Sequence, residues 1–110
     1  MALNMDIYTI LEKCQGFQWD KGNSFKNWLK HGVAQGECEQ VFFNEPLVLF
    51  KDDAHSDAED RFSVFGHTDE GKYLFIAFTV REKWVRVISA RNMNKKERGN
   101  YENEKFETSA

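Results

Sequence analysis

Cysteine is scarce in this sequence. The 110 residues contain only Cys14 and Cys38, with no CxxC pair and no histidine at zinc-finger spacing. Structural zinc sites need four clustered ligands, and small secreted domains usually need several paired cysteines. The sequence therefore predicts no metal site, no cofactor and no disulfide framework, and a reducing cytoplasm is the compartment that fits it best.

Long hydrophobic runs are also missing. No window approaches the roughly 20 consecutive apolar residues of a membrane-spanning helix. The N-terminal stretch MALNMDIYTILEKC lacks the basic start and the continuous apolar run of a secretory signal. No membrane association is therefore expected.

The formal charge at pH 7 is only −3, which by itself argues against a polyanionic partner. The charge is nevertheless segregated along the chain. Between Arg81 and Arg98, seven basic residues oppose only Glu82 and Glu97, a net of +5, so the rest of the chain carries −8. Because local charge governs attraction at short range, this segment can bind phosphate although the whole chain is acidic.

The first half of the chain has helical periodicity. A short helix is predicted over residues 6–13. A second helix is predicted after the N-cap residue Asp20, ending at Gly32, and a third over residues 34–43. The residues expected to face the core from these helices are Ile7, Ile10, Leu11, Phe25, Trp28, Leu29, Cys38, Val41 and Phe42.

From Leu47 onward the pattern becomes extended. The segments LVLFK, RFSVFGH, KYLFIAFTV and KWVRVISAR are rich in β-branched and aromatic residues, with short turns predicted at residues 68–71 and 81–83. A capping box of Asn94 and Glu97 then predicts a last helix reaching residue 106, docked by Met93, Tyr101 and Phe106. This order predicts an α+β domain in which N-terminal helices pack on an antiparallel meander.

Strand alternation suggests a basic face on this sheet. Side chains two residues apart share a face, so Phe62 and Val64 are expected in the core, and Arg61 on the opposite side. The same alternation along KYLFIAFTV places Thr79 opposite the core. The pattern of the last strand is ambiguous. If Val85 and Val87 face the core, Arg86 joins Arg61 and Arg81 on the open face, where guanidinium groups suit phosphate and nearby aromatic rings suit unstacked bases.

Two segments carry a resemblance to a known family. WDKGNSFKNWLKHGV, residues 19–33, and ISARNMNKKERGNY, residues 88–101, resemble the BrnT family of bacterial type II toxins. The resemblance continues through HSDAEDRFSVFG, residues 55–66, and the hairpin of residues 79–91. It covers residues 17–101, so residues 1–16 are expected to be a helical extension and residues 17–110 a single toxin domain.

The resemblance implies a RelE/ParE-like fold and a specific activity. The expected function is metal-independent RNA cleavage that stops growth. A BrnA-like antitoxin would hold that activity in check, and the toxin would contact operator DNA only through this antitoxin. The basic segment of residues 81–98 would then face the RNA.

Metal-independent RNA cleavage needs a base for the 2′-hydroxyl and cations for the phosphorane. We expect Arg61, Arg81 and Arg86 to be the cations, and Glu59 or His31 to be the base. The expected RNA-contacting residues are Arg91, Lys83, Tyr73, Trp84, Lys95 and Tyr101. Three alternatives stay open: His31 caps helical carbonyls, Arg91 holds the scaffold or the last helix, and Tyr101 pins that helix to the sheet.

A second function class also remains possible from the sequence. The acidic pI, the absence of an obvious general base and a weakly anchored last helix suit a non-catalytic binding module with a toxin-like fold. RNA cleavage separates the two hypotheses, because a binding module protects RNA and a nuclease shortens it.

Overall fold

A computed structural model describes residues 7–52 and 59–103, except for the side chains of Asn23, Ser24, Phe25 and Leu29. Within these ranges the chain forms four helices and five strands. In chain order they are α1 (Ile7–Glu12), β1 (Gly16–Gln18), α2 (Lys21–His31), α3 (Gln35–Val41), β2 (Val48–Lys51), β3 (Arg61–His67), β4 (Tyr73–Arg81), β5 (Trp84–Asn92) and α4 (Lys95–Glu102).

The five described strands form one sheet in the order β1-β5-β4-β3-β2. Strands β2 to β5 are antiparallel neighbours, and the connections from β3 to β4 and from β4 to β5 lie where turns were predicted, which confirms an α+β fold. The sheet is not purely antiparallel, however, because β1 pairs with β5 in parallel. A three-residue strand carries almost no periodic signal, so the sequence did not predict this parallel pairing.

The helix boundaries follow the local capping chemistry. Asp20 precedes α2 and its Oδ1 accepts a hydrogen bond of 2.7 Å from the Gly22 amide. Gly32 follows α2 with φ of 65°, the left-handed conformation that favours glycine at a helix end. Ala34 occupies the N-cap position of α3 without a capping side chain. The helix spans Gln35–Val41, so it begins one residue later and ends two residues earlier than predicted.

One face of the sheet carries the main core. Its fully buried centre consists of Val33, Val41, Val64, Leu74, Ile76 and Phe78. Residues of α1 and β1 also pack against it, and the Tyr8 hydroxyl of α1 donates to the Leu47 carbonyl at 2.9 Å. Residues that precede the toxin-like segment therefore share the core of the domain.

The prediction that Trp28 faces this core is wrong, because its side chain is 56% exposed. Its neighbour Asn27 is buried instead, and its Oδ1 accepts a hydrogen bond of 3.2 Å from the Ala90 amide. Strand β1 covers β5 only as far as Arg86, so the later backbone of β5 needs another partner. The predicted core residues Phe25 and Leu29 lie outside the described side chains.

Among the residues that the structure describes, those covering the opposite, open face of the sheet lie at one end only. There α4 packs through a second cluster of Phe65, Met93 and Tyr101. The Asn94 side chain accepts from the Glu97 amide at 2.8 Å, which confirms the predicted capping box. The helix ends at Glu102, earlier than predicted, and Phe106 lies outside the described residues. No helix within the described ranges has the length and hydrophobicity needed to cross a membrane.

Candidate functional site

The uncovered end of the open face is built on one cross-strand row. Thr79 of β4 is the register partner of both Arg61 and Arg86, and Arg86 is in turn the partner of Gln18. Paired residues on neighbouring strands project to the same side of a sheet, so two guanidinium groups flank the Thr79 side chain. Arg81 lies two residues further along β4, on the same face.

Carboxylates accompany two of these arginines. Glu59 binds Arg81, with Oε1 3.1 Å from Nη2 and Oε2 3.4 Å from Nε. Asp52 accompanies Arg61, with its Oδ2 3.8 Å from the Nε of that arginine. The Glu59–Arg81 pair is largely exposed, which makes it weak as a source of stability. It does fix the direction of the Glu59 carboxylate.

A cleft of about 160 Å³ lies next to these groups, and of them only Glu59 is part of its lining. Glu59 lines one side and Arg86 the other, with Thr79 between them. Gln18 and Asp20 close the cleft on the side of β1, and Val87 and Ile88 complete its wall. A carboxylate, a guanidinium group and a hydroxyl therefore face a space open to solvent.

A β-bulge decides which arginines of β5 share this face. Phe78 pairs with Val87 whereas Ala77 pairs with Ser89, so Ile88 is an extra residue in β5. The alternation shifts at that point, as expected for a bulge. Val85 and Val87 therefore face the core, yet Arg91 lies on the open face opposite Phe75, contrary to simple alternation.

Comparison with known proteins identifies the family. The model of the family described as the ribonuclease toxin BrnT of type II toxin–antitoxin systems matches residues 19–97. The chain belongs to the BrnT family. A type II toxin–antitoxin family implies an antitoxin partner. No curated protein matches the chain.

The fold agrees with this assignment. The crystal structure of the Brucella abortus ribonuclease toxin BrnT aligns with a TM-score of 0.57 and 20% sequence identity. The alignment covers 73% of this chain and 97% of that one. At this identity the likeness concerns the fold alone. Glu59, Thr79 and Arg86 of the cleft all lie within the segment that matches the BrnT family model.

In this BrnT-family toxin, Arg91 attaches α4 to the sheet. Its Nη1 and Nη2 lie 2.8 and 3.0 Å from the two carboxylate oxygens of Glu97, and its guanidinium group stacks on the Phe75 ring at 4.4 Å. The hydrogen bonds from Arg91 lower the pKa of the Glu97 carboxyl. Arg91 is thus engaged with α4 and lies outside the cleft.

Tyr101 is only 4% exposed, as expected from the alternative that it pins the last helix to the sheet. Its hydroxyl binds the Pro46 carbonyl and lies 2.9 Å from Nδ1 of His67. Tyr73 is also occupied, since its hydroxyl donates to Glu102 at 2.9 Å and its ring contacts Tyr101. Both tyrosines are part of the α4 attachment, which the sequence predicted for Tyr101 but not for Tyr73.

His31 does not join the arginines. It ends α2, and its backbone carbonyl accepts a hydrogen bond of 3.4 Å from the Asn92 side chain. Asn92 lies six residues beyond Arg86 on β5, roughly 20 Å along the strand. The candidate base His31 is therefore remote from the cleft.

The remaining predicted residues are not part of the cleft lining. Trp84 is the register partner of Arg81, and its ring covers Gly16 of β1. Lys83 is exposed in the turn between β4 and β5, and Lys95 is exposed at the start of α4. Sequence patterns missed the cleft residues Gln18, Asp20 and Thr79. Alternation placed Thr79 on the open face, but no local signal connects β1 to β5.

Proposed function

We propose that this toxin cleaves single-stranded RNA without a metal ion, at the cleft between Glu59 and Arg86. The observation that carries the proposal is the meeting of a carboxylate and a guanidinium group across one solvent-open cleft, beside Arg61 and Arg81. General-base catalysis needs the first group, and a phosphorane needs the second.

In the proposed reaction, Glu59 takes the proton of a ribose 2′-hydroxyl. Arg81, which binds both oxygens of this carboxylate, keeps it directed to the cleft. The 2′-oxygen bonds to phosphorus, and Arg86 stabilises the negative charge that develops on the phosphoryl oxygens. The bond to the 5′-oxygen then breaks, and that oxygen takes a proton from solvent. The products are a 2′,3′-cyclic phosphate and a 5′-hydroxyl.

Other features of the proposal follow from the family. We propose that a BrnA-like antitoxin neutralises the toxin and alone brings it to operator DNA, and that the fold is of the RelE/ParE-like type. The four-strand meander and the helix that follows it support this last point. The family match begins at Trp19, which supports residues 1–16 as an extension of a toxin domain over residues 17–110.

The test is incubation of the purified toxin with labelled single-stranded RNA in excess EDTA, followed by analysis of fragment lengths and ends. We expect fragments with 2′,3′-cyclic phosphate ends. The double variant Arg81→Ala, Arg86→Ala should abolish them, and Glu59→Gln should slow cleavage by roughly 100-fold or more.

The matched control is Lys26→Ala, Lys30→Ala, which removes two exposed cations from α2. It should cleave like the unchanged toxin. An equal loss of RNA cleavage in both double variants would mean that total charge, rather than the cleft, determines activity. RNA that is bound but left intact would support the non-catalytic binding module instead.

A further inference from the structure

Arg86 differs from the other arginines of the open face in its surroundings. Arg61, Arg81 and Arg91 each have a carboxylate oxygen within 3.8 Å. Among the residues that the structure describes, Arg86 forms no ion pair, and its cross-strand neighbours Thr79 and Gln18 are both uncharged. A phosphate can bind this guanidinium group without first displacing a carboxylate.

Gln18 is placed to contact the same ligand. It is exposed, ends β1 and is the register partner of Arg86, so its side chain lies on the open face. Neighbouring strands are about 4.8 Å apart, which places the carboxamide beside any phosphate on Arg86. The cleft lined by both residues extends from this point toward Glu59.

The chemistry of the two side chains is complementary to one nucleotide. The guanidinium group suits the phosphate. The carboxamide offers a donor and an acceptor side by side. Adenine matches this pair on two edges, at N6 with N7 and at N6 with N1, whereas cytosine matches it on one, at N4 with N3. Ile88 adds apolar surface to the wall of the cleft.

We propose that Gln18 and Arg86 form a nucleotide subsite that prefers adenosine, in which Gln18 contacts the base and its neutrality keeps Arg86 available to phosphate. The inference rests on the proposed function, because it assigns a specificity residue to that same cleft. It does not require that cleavage be observed, since the subsite acts on binding.

Binding is tested with fluorescent octamers of A, C or U that carry 2′-O-methyl groups and so lack the nucleophile. We expect the unchanged toxin to bind the A octamer several-fold more tightly than the C octamer. Gln18→Ala should remove this preference with only a modest loss for the C octamer. Gln18→Glu should weaken binding of all three octamers about tenfold, because the new carboxylate pairs with Arg86.

The salt dependence provides a second measurement. Each phosphate contact with a single strand contributes about 0.7 to the slope of log K against log salt. Gln18→Glu and Arg86→Ala should each reduce the slope by about that amount. Their combination should reduce it no further, because both act on the same contact.

The control is Gln35→Glu, the same change at an exposed position of α3, away from the open face. It changes the net charge by the same amount as Gln18→Glu. It should leave octamer binding and the slope of log K against log salt unchanged. The proposal is overturned if Gln18→Glu behaves like Gln35→Glu, or if Gln18→Ala keeps the preference for A. Either result leaves cleavage by Glu59 and Arg86 intact, whereas failure of the cleavage assay with normal subsite binding overturns only the proposed activity.

Discussion

The Tyr101 hydroxyl should contribute measurably to the attachment of α4, and Tyr101→Phe removes it alone. A tyrosine hydroxyl has one proton, and here the Pro46 carbonyl accepts it. Nδ1 of His67, 2.9 Å away, must therefore be the donor of the second hydrogen bond. Burial raises the pKa of Tyr101 to about 12, so the hydroxyl keeps its proton at every ordinary pH.

The expected loss of stability follows from the two groups that Tyr101→Phe leaves without a partner, the Pro46 carbonyl and Nδ1 of His67. A buried polar group without a hydrogen bond costs about 1–3 kcal/mol. Pro46 is exposed and His67 is half-buried, and both line a cavity that water can enter, so the lower part of this range applies. We expect Tyr101→Phe to reduce the free energy of unfolding by about 1–2 kcal/mol, or the Tm by roughly 4–12 °C.

Tyr73→Phe is the matched control. It deletes a hydroxyl from the same aromatic group, but that hydroxyl donates to the exposed side chain of Glu102. Solvent replaces such a hydrogen bond, so the expected loss is below about 0.5 kcal/mol. Urea unfolding gives the global values, and hydrogen exchange of the α4 amides shows whether the loss is local. If Tyr101→Phe proves no more destabilising than Tyr73→Phe, the hydroxyl does not hold α4.

Two further predictions concern pH and packing. Arg91 lowers the pKa of Glu97 in the folded protein, so the stabilisation is present above the ordinary glutamate pKa of 4.5 and is lost as pH falls through the lowered value. Urea unfolding should give a free energy of unfolding that is lower at pH 3 than at pH 6, and the Glu97–Arg91 pair should account for on the order of 1 kcal/mol of this difference. Glu97→Gln should remove that part. An equal pH-dependent loss in the variant contradicts the assignment of the effect to Glu97. Gly66→Ala should destabilise by about 1–3 kcal/mol, because a Cβ there would lie 2.5 Å from Cγ1 of Val41, and a thermal melt within 1 °C of the unchanged protein would refute this.

Local sequence determined most of the secondary structure. Asp20 and Gly32 bound α2, and the reciprocal hydrogen bonds of Asn94 and Glu97 begin α4, because a cap depends on residues three or four positions apart. Alternation along β4 likewise placed Thr79 opposite the core. Such features need no knowledge of distant contacts.

Predictions failed where a contact joins distant parts of the chain. Trp28 was assigned to the core by its apolar character, yet β5 needed a hydrogen-bond acceptor at Ala90 and Asn27 supplies it. For Tyr101 the sequence left two roles open, RNA contact or docking of the last helix, and only the structure shows that the His67 side chain and the Pro46 carbonyl hold it on the sheet. Hydrophobicity and residue type indicate that a side chain will be buried or polar, but the partner is a property of the packed structure.

The sequence by itself determined the family, the α+β class and the candidate arginines of the open face, of which Arg86 lines the cleft. Only the tertiary structure decided which of them meet. The bulge at Ile88 brings Arg86 and Arg91 to one face, and the parallel pairing of β1 places Gln18 beside Arg86. Both depend on register between segments far apart in sequence, and register is fixed by packing of the whole sheet rather than by local preference.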